Sequence, residues 1–260
     1  MATVLKAAIE LEDACLRLKE LALNRKAIIK AQIRANNQLT AFVVRYLAPE
    51  DQEINEEDEK ARKRRWAKAA RLVKHLQKGN ELNHPAYGFA LATEATNKEL
   101  ASVRERYEEC MVALVREMPA YSWWMTVPGL GEIGLATIIG ETGDLSDYSV
   151  SKLWKRLGLA PTVEYTMKKK NGEDCICKPK AKRSVVWNVG DVLIKVNKKD
   201  GKNGHYRQLY IDRKEYECQR EPELRQDGKK MKAHRHAQKY MEKRLIKHLW
   251  QQWNRQPIKD

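Results

Sequence analysis

Val4, Ala8, Leu11, Cys15, Leu18 and Ala22 recur at steps of four and three. Only a helix of about 3.6 residues per turn lines such a series up on one side, so the chain opens on a long amphipathic helix. The segment continues through Ile29, Ile33 and Leu39 to Phe42, Val43 and Leu47, where Pro49 and the acidic run Glu50 to Glu59 interrupt it. Like charges at that density repel and resist packing, so the run reads as a solvated linker near 49–60.

Basic residues follow at once in Lys60-Ala61-Arg62-Lys63-Arg64-Arg65 and open a helical stretch through Leu72, Val73 and Leu76 that stops near Gly79-Asn80. From Thr96 a second stripe runs Leu100, Val103, Tyr107, Cys110, Leu114 and Met118. Two such stripes fit an antiparallel pair or a coiled-coil arm over residues 1–118, through which the chain would form a homo-oligomer; packing within one chain fits equally well.

Pro119 marks a change of punctuation, with Pro128-Gly129-Leu130-Gly131, Gly140, Gly143-Asp144, Gly158 and Pro161 joining shorter elements. The runs Val185-Val186-Trp187 and Val192-Leu193-Ile194 suit strand or helix alike. In the tail, Ala233, Ala237, Met241, Leu245 and Leu249 form one apolar stripe, flanked by Tyr240, Ile246, Trp250 and Trp253. The expected fold class is therefore mainly α: the helical arm, then a helix-hairpin-helix domain over 119–260.

Charge narrows the function. Lys+Arg 50 against Asp+Glu 35 gives a net charge of +15, a field that attracts polyanions. No apolar stretch approaches the roughly 18 residues of a membrane span, and the amino terminus lacks the apolar block of a signal peptide. A cytoplasmic, nucleoid-associated protein with no membrane partner is expected. Five cysteines at irregular positions do not describe a disulfide framework.

Trp123 to Val127, then Pro128-Gly129-Leu130-Gly131, then Glu132 to Ile139 have the form of a helix-hairpin-helix. Glycines permit the tight turn and let a phosphate approach main-chain amides, and the amides opening the second helix lie at its positive end. Such a turn grips a sugar-phosphate backbone without reading bases. Downstream, Lys168, Lys169, Lys170, Lys178, Lys180, Lys182 and Arg183, with Lys195, Lys198, Lys199 and Lys202 beyond, face only four acids between 168 and 202 and would line a phosphate groove.

The ungapped order Pro128 to Gly131, Gly143-Asp144, Tyr148 to Leu157 and Gly158-Leu159-Ala160-Pro161 resembles the carboxy-terminal domain of the insertion sequence 110/116/902 transposase family, the bridge-RNA-guided DNA recombinases. Tyr206 to Tyr210, the helix Ala233 to Trp250 and Arg34 to Leu39 resemble further family segments more weakly. The resemblance implies DNA binding in transposition or site-specific recombination, with DNA as partner and a structured guide RNA as a second one.

The sequence departs from the family where catalysis is concerned. Members carry an amino-terminal RuvC-like domain with a four-carboxylate metal site, and here only Glu10-Leu11-Glu12-Asp13-Ala14 resembles its last acidic motif, which would set Met1 near that domain's end. Glu10 and Asp13 supply at most two ligands, so no cofactor is expected on this chain, and Mg2+ only if a RuvC-like partner or segment is supplied. The family's serine falls at about Thr166, whose extra methyl crowds an attack on phosphorus; Ser184 is a second candidate nucleophile. Arg183 matches a basic family position. Cys175, Cys177, Cys218, His234 and His236 depart from zinc-finger spacing and read as no metal site. Trp123, Trp124, Trp154 and Trp187 read as core filling before base stacking. Two functions stand: a transposase-like DNA-binding protein that breaks and rejoins DNA, or a truncated or repurposed derivative that only occupies nucleic acid.

Overall fold

The computed structural model describes residues 2–47, 59–80, 83–160, 166–168, 174–176, 180–196, 198–199, 202–226 and 230–255. The protein is mainly α. Its helices are α1 (Ala2–Leu47), α2 (Glu59–Gln77), α3 (Tyr87–Val115), α4 (Tyr121–Thr126), α5 (Glu132–Thr142), α6 (Val150–Arg156), α7 (Lys180–Val196), α8 (His205–Arg220) and α9 (Lys230–Trp253). Two short antiparallel hairpins accompany them: β1 (Thr166–Lys168) with β2 (Asp174–Ile176), and β3 (Lys198–Lys199) with β4 (Lys202–Asn203). Both ambiguous runs, 185–187 and 192–194, are turns of α7.

Residues fall into two compact units, Leu23–Glu108 and the combination of Met1–Ala22 with Glu109–Asp260. Proline and glycine punctuation, which thickens after residue 119, puts the break at Pro119 instead. Burial explains the difference: Cys15 and Leu18 of α1, Met111 and Val115 of α3, and Met118 just after α3 join the same core as the segment beyond Pro119. Within α3 the buried stripe also differs from the expected one. Val103 and Cys110 are exposed, and the inward set is the one carrying Met111 and Val115.

In the Leu23–Glu108 unit, parts of α1 and α3 pack with α2. Leu39, Val43, Ala69, Val73, Leu76, Ala86 and Ala90 form its core, and Phe42 meets Phe89 edge-on at 5.5 Å between ring centroids. A polar thread fixes the register. Asn36 Oδ1 accepts from Gln77 Nε2 at 3.2 Å and from Asn97 Nδ2 at 3.1 Å, while Gln32 Nε2 donates to the Asn97 carbonyl at 3.1 Å. Arg25 Nε donates to Glu108 Oε1 at 2.6 Å. Polar groups held this way penalise any sliding of one helix along another, since a slipped register strands them.

The larger unit is built around α5, an apolar helix whose Leu135, Ala136, Ile138, Ile139 and Gly140 are all buried. Gly140 lets α1 approach: a Cβ there would stand 2.7 Å from Ala22 Cβ and 2.9 Å from the Leu18 carbonyl oxygen. Around α5 gather Trp124, Leu153, Leu157, Val186, Leu193, Tyr206 and the inner face of α9. Gly190 of α7 plays a similar part, since a Cβ at that position would collide with the carboxyl of Glu242 on α9.

Candidate nucleic-acid interface

The turn between α4 and α5 alternates between anchored and outward positions. Val127 and Leu130 are buried, Pro128 is half-buried, and Gly129 and Gly131 are exposed. Gly129 adopts φ +92, a backbone that an L side chain enters only at a cost of about 1–2 kcal/mol. The indole of Trp124 donates to the Gly131 carbonyl at 3.1 Å and ties the end of the turn to the core. This geometry lets two apolar side chains pin the backbone while the glycines face solvent.

Gly131 is the N-cap residue of α5, in extended backbone (φ −115, ψ 162), and makes no side-chain cap hydrogen bond. A Cβ at Gly131 would meet nothing within 4 Å. The first amides of a helix lack intrahelical acceptors and carry its positive partial charge, so a small anion can approach this end of α5. Leu130 differs from the expectation. Its amide donates to the Val127 carbonyl at 3.2 Å and its side chain is buried, so it anchors the turn and does not contact a backbone phosphate.

A carboxylate stands beside this end. Glu132, in the first turn of α5, accepts from Arg116 Nε at 2.8 Å and from Tyr121 hydroxyl at 2.7 Å. These two hydrogen bonds hold the Glu132 carboxyl below its ordinary range, and the hydrogen bond to Glu132 raises the Tyr121 hydroxyl against the opposing pull of Arg116. Arg116 therefore offsets the repulsion that Glu132 would exert on an incoming phosphate, and its side chain remains more than half exposed. Nothing in sequence spacing marks this trio, because its members come from α4, α5 and the turn after α3.

Much of the remaining motif holds the scaffold together. Gly143 (φ +83) ends α5 and Gly158 (φ +69) follows α6, both in backbone that favours glycine. Asp144 caps the turn Leu145–Asp147 through Ser146 N at 2.8 Å and accepts the Trp253 indole at 2.8 Å. Trp250 donates to the Tyr148 carbonyl at 2.6 Å and Trp154 to the Lys243 carbonyl at 3.1 Å. Of the four tryptophans expected in the core, Trp124 is fully buried, Trp123 and Trp154 pack at its edge, and Trp187 is exposed.

The basic tract separates into different fates. Lys168 lies in β1 opposite Asp174, and Lys180 and Lys182 lie in the first turn of α7. Lys169, Lys170 and Lys178 lie outside the described residues. Arg183, expected to neutralise a phosphate, instead forms an ion pair with the fully buried Glu242, Nη2 to Oε2 at 2.5 Å. Burial pushes the Glu242 carboxyl up to about 7, against the opposing pull of Arg183. Arg183 is thus committed to α9. Thr166 opens β1 opposite Ile176, and Ser184 is exposed on α7 one residue after Arg183.

Metal ligation gains no site from these residues. Glu10 and Asp13 are exposed on α1, and among the described residues no three His, Cys, Asp or Glu groups come together as a metal site. Among the described residues no set of carboxylates fits a bound Mg2+. Cys177 lies outside the described residues, His234 pairs with Tyr210 hydroxyl at 2.9 Å, and His236 meets Glu217 at 3.3 Å. Among the described residues no helix is long and apolar enough to cross a membrane.

A second polar cluster escaped the sequence reading. Buried Glu217 takes Arg213 at 2.5 Å and Arg220 at 3.1 Å, and Arg213 stacks over Tyr216 and Tyr240 at 4.7 and 5.0 Å from their centroids. Burial pushes the Glu217 carboxyl up, but His236, Arg213 and Arg220 outweigh it and leave the group below its ordinary range. The i, i+4 spacing of Arg213 and Glu217 was legible; that the Glu217 carboxylate is buried where α8 meets α9 was not.

No family model, curated protein or solved structure matches the chain.

Proposed function

We propose that this chain is a DNA-binding protein of transposition or site-specific recombination that grips a sugar-phosphate backbone at the turn between α4 and α5. The observation that carries the reading is the exposed pair Gly129 and Gly131 at an α5 start with no side-chain cap. Support also comes from the net charge of +15 and from Arg116, which counters Glu132 beside the turn. Lys168, Lys169, Lys170, Lys178, Lys180 and Lys182 extend the phosphate contacts in this reading. Arg183 is left out, since Glu242 already holds it. Because the contacts are to phosphate, binding is independent of sequence at this turn, and target choice belongs to another element or to a guide RNA.

The role assigned is binding. A second reading, strand attack by Thr166, draws on the position of that residue in the motif order and on the lysine tract around it. Binding of labelled duplex DNA across a salt series tests the first reading. Six or more phosphate contacts require the association constant to fall by on the order of 10³ or more between 50 and 200 mM salt. A flat salt response overturns it. Incubation with a suicide DNA substrate, followed by a denaturing gel, tests the second: a covalent adduct lost in Thr166→Ala supports attack by that hydroxyl, and no adduct with metal, RNA and a RuvC-like partner supplied refutes it.

A further inference from the structure

The Leu23–Glu108 unit carries a surface that the hairpin reading does not use. Lys30, Ile33, Arg34, Asn37 and Gln38 stand on one face of α1 at helical spacing, and Trp66 of α2 closes an open groove of about 570 Å³ against them. Trp66 leaves 42% of its surface exposed and Ile33 leaves 54%. A large flat indole held outward beside an exposed isoleucine, with two cations and two amides within the same groove, is poorly explained by packing.

Charge identifies the kind of occupant. Between Glu59 and Gln77, α2 carries eight Lys and Arg residues and one acid. Its buried residues are Ala69, Val73 and Leu76, so the inward face is apolar. Arg62, one turn before Trp66, is exposed and adds a third cation beside the indole. A polyanion therefore meets this face favourably.

We propose that this groove binds a single-stranded nucleic acid, with an unpaired base stacked on Trp66 and its neighbouring phosphates on Lys30, Arg34 and Arg62. Stacking on an aromatic side chain is tolerant of base identity, and phosphate contacts give the affinity. Asn37 and Gln38 have amide donors and acceptors for the base edge. Duplex DNA does not suit the groove, since its bases already stack on one another. An acidic peptide would satisfy the cations but leave the indole without a partner. The shared chemistry, base plus phosphate, comes from DNA or RNA. The site lies within one unit, involves none of the hairpin residues, and stands independently of the reading above.

The full chain is titrated against fluorescein-labelled dT12 and U12 by anisotropy. Trp66→Ala binds at least tenfold more weakly than wild type, Trp66→Phe keeps most of the affinity, and Lys30→Gln with Arg34→Gln lowers the salt slope by about 1.4. Duplex binding changes less than twofold in Trp66→Ala, so failure here and failure at the hairpin are told apart. A preference for one of the two strands names the source of the ligand and supports the site. In the wild type, ultraviolet cross-linking of 4-thiouridine RNA yields a labelled peptide containing Trp66, a readout that holds even where a variant fails to fold. Wild-type affinity of Trp66→Ala for both strands, cross-links confined to other peptides, or equal competition by oligoglutamate of matched charge overturns the proposal.

Discussion

Replacing Gly140 and Gly134 by alanine, one at a time, exploits the fact that both lie on α5 but face different neighbours. In either variant the helix gains roughly 0.5–1 kcal/mol from alanine's lower conformational freedom in the unfolded chain. At Gly134 the new methyl would stand 3.5 Å from Trp124 and from Val189, an ordinary contact, so the gain survives. At Gly140 it would stand 2.7 Å from Ala22 Cβ and 2.9 Å from the Leu18 carbonyl. One of those neighbours is backbone and the other a methyl fixed to it, so α1 or α5 must shift by several tenths of an ångström. Overpacking of that kind costs about 1–3 kcal/mol, which outweighs the helix gain. Gly134→Ala is therefore neutral to stabilising and Gly140→Ala destabilising by about 1–2 kcal/mol. Urea unfolding followed by tryptophan fluorescence reads both, with the midpoint compared at unchanged slope. Equal shifts in the two variants, or a gain at Gly140, would refute the close approach of α1 to α5.

Three further outcomes are expected. Because burial raises the Glu242 carboxyl to about 7 while the unfolded chain ionises near 4.5, the folded state holds an extra proton between those values. Stability contributed by this group consequently falls as pH rises from about 4.5 to about 7, by roughly 3 kcal/mol at most, and Glu242→Gln flattens that window in a pH series of thermal unfolding. Arg183→Ala leaves Glu242 buried without its ion pair; the carboxyl then takes up a proton instead, so the loss of stability at pH 8 exceeds that at pH 5 by about 1–1.5 kcal/mol, measured by urea titration. Trp253→Phe removes the donor to Asp144 and leaves the space of the second ring unfilled in the core, with a loss greater than the roughly 1 kcal/mol of the hydrogen bond alone and faster amide exchange at Ser146.

Helical periodicity made the fold class readable, because a 3.6-residue apolar stripe has no other use. Cys15 and Leu18 were identified as inward-facing in this way, and so were Ala233, Ala237, Met241, Leu245 and Leu249. The stripe through Val103 and Cys110 misled, since in α3 several registers of apolar residues compete and tertiary packing chose Met111 and Val115. Glycine and proline spacing located the turn at 128–131, and the structure adds which of its positions face outward. It could not disclose Arg183 on Glu242, because a lysine- and arginine-rich tract looks uniform until a buried acid some 60 positions away selects one member. Trp66 directly follows the basic run Lys60 to Arg65 that opens α2, and no spacing marks it. What sets it apart is its exposure, a property of the folded surface.

The central claim, that a glycine turn offers main-chain amides to a phosphate, is tested most directly by Gly131→Leu. Gly131 has backbone angles open to any residue, and a side chain there would point into empty space, so folding is preserved. Wild type and variant are compared for binding to a labelled 25-base-pair duplex at 100 mM salt, with circular dichroism as the control for fold. The account predicts at least a tenfold weaker association, because the leucine stands where the phosphate would sit. Unchanged affinity in a normally folded Gly131→Leu protein would contradict it.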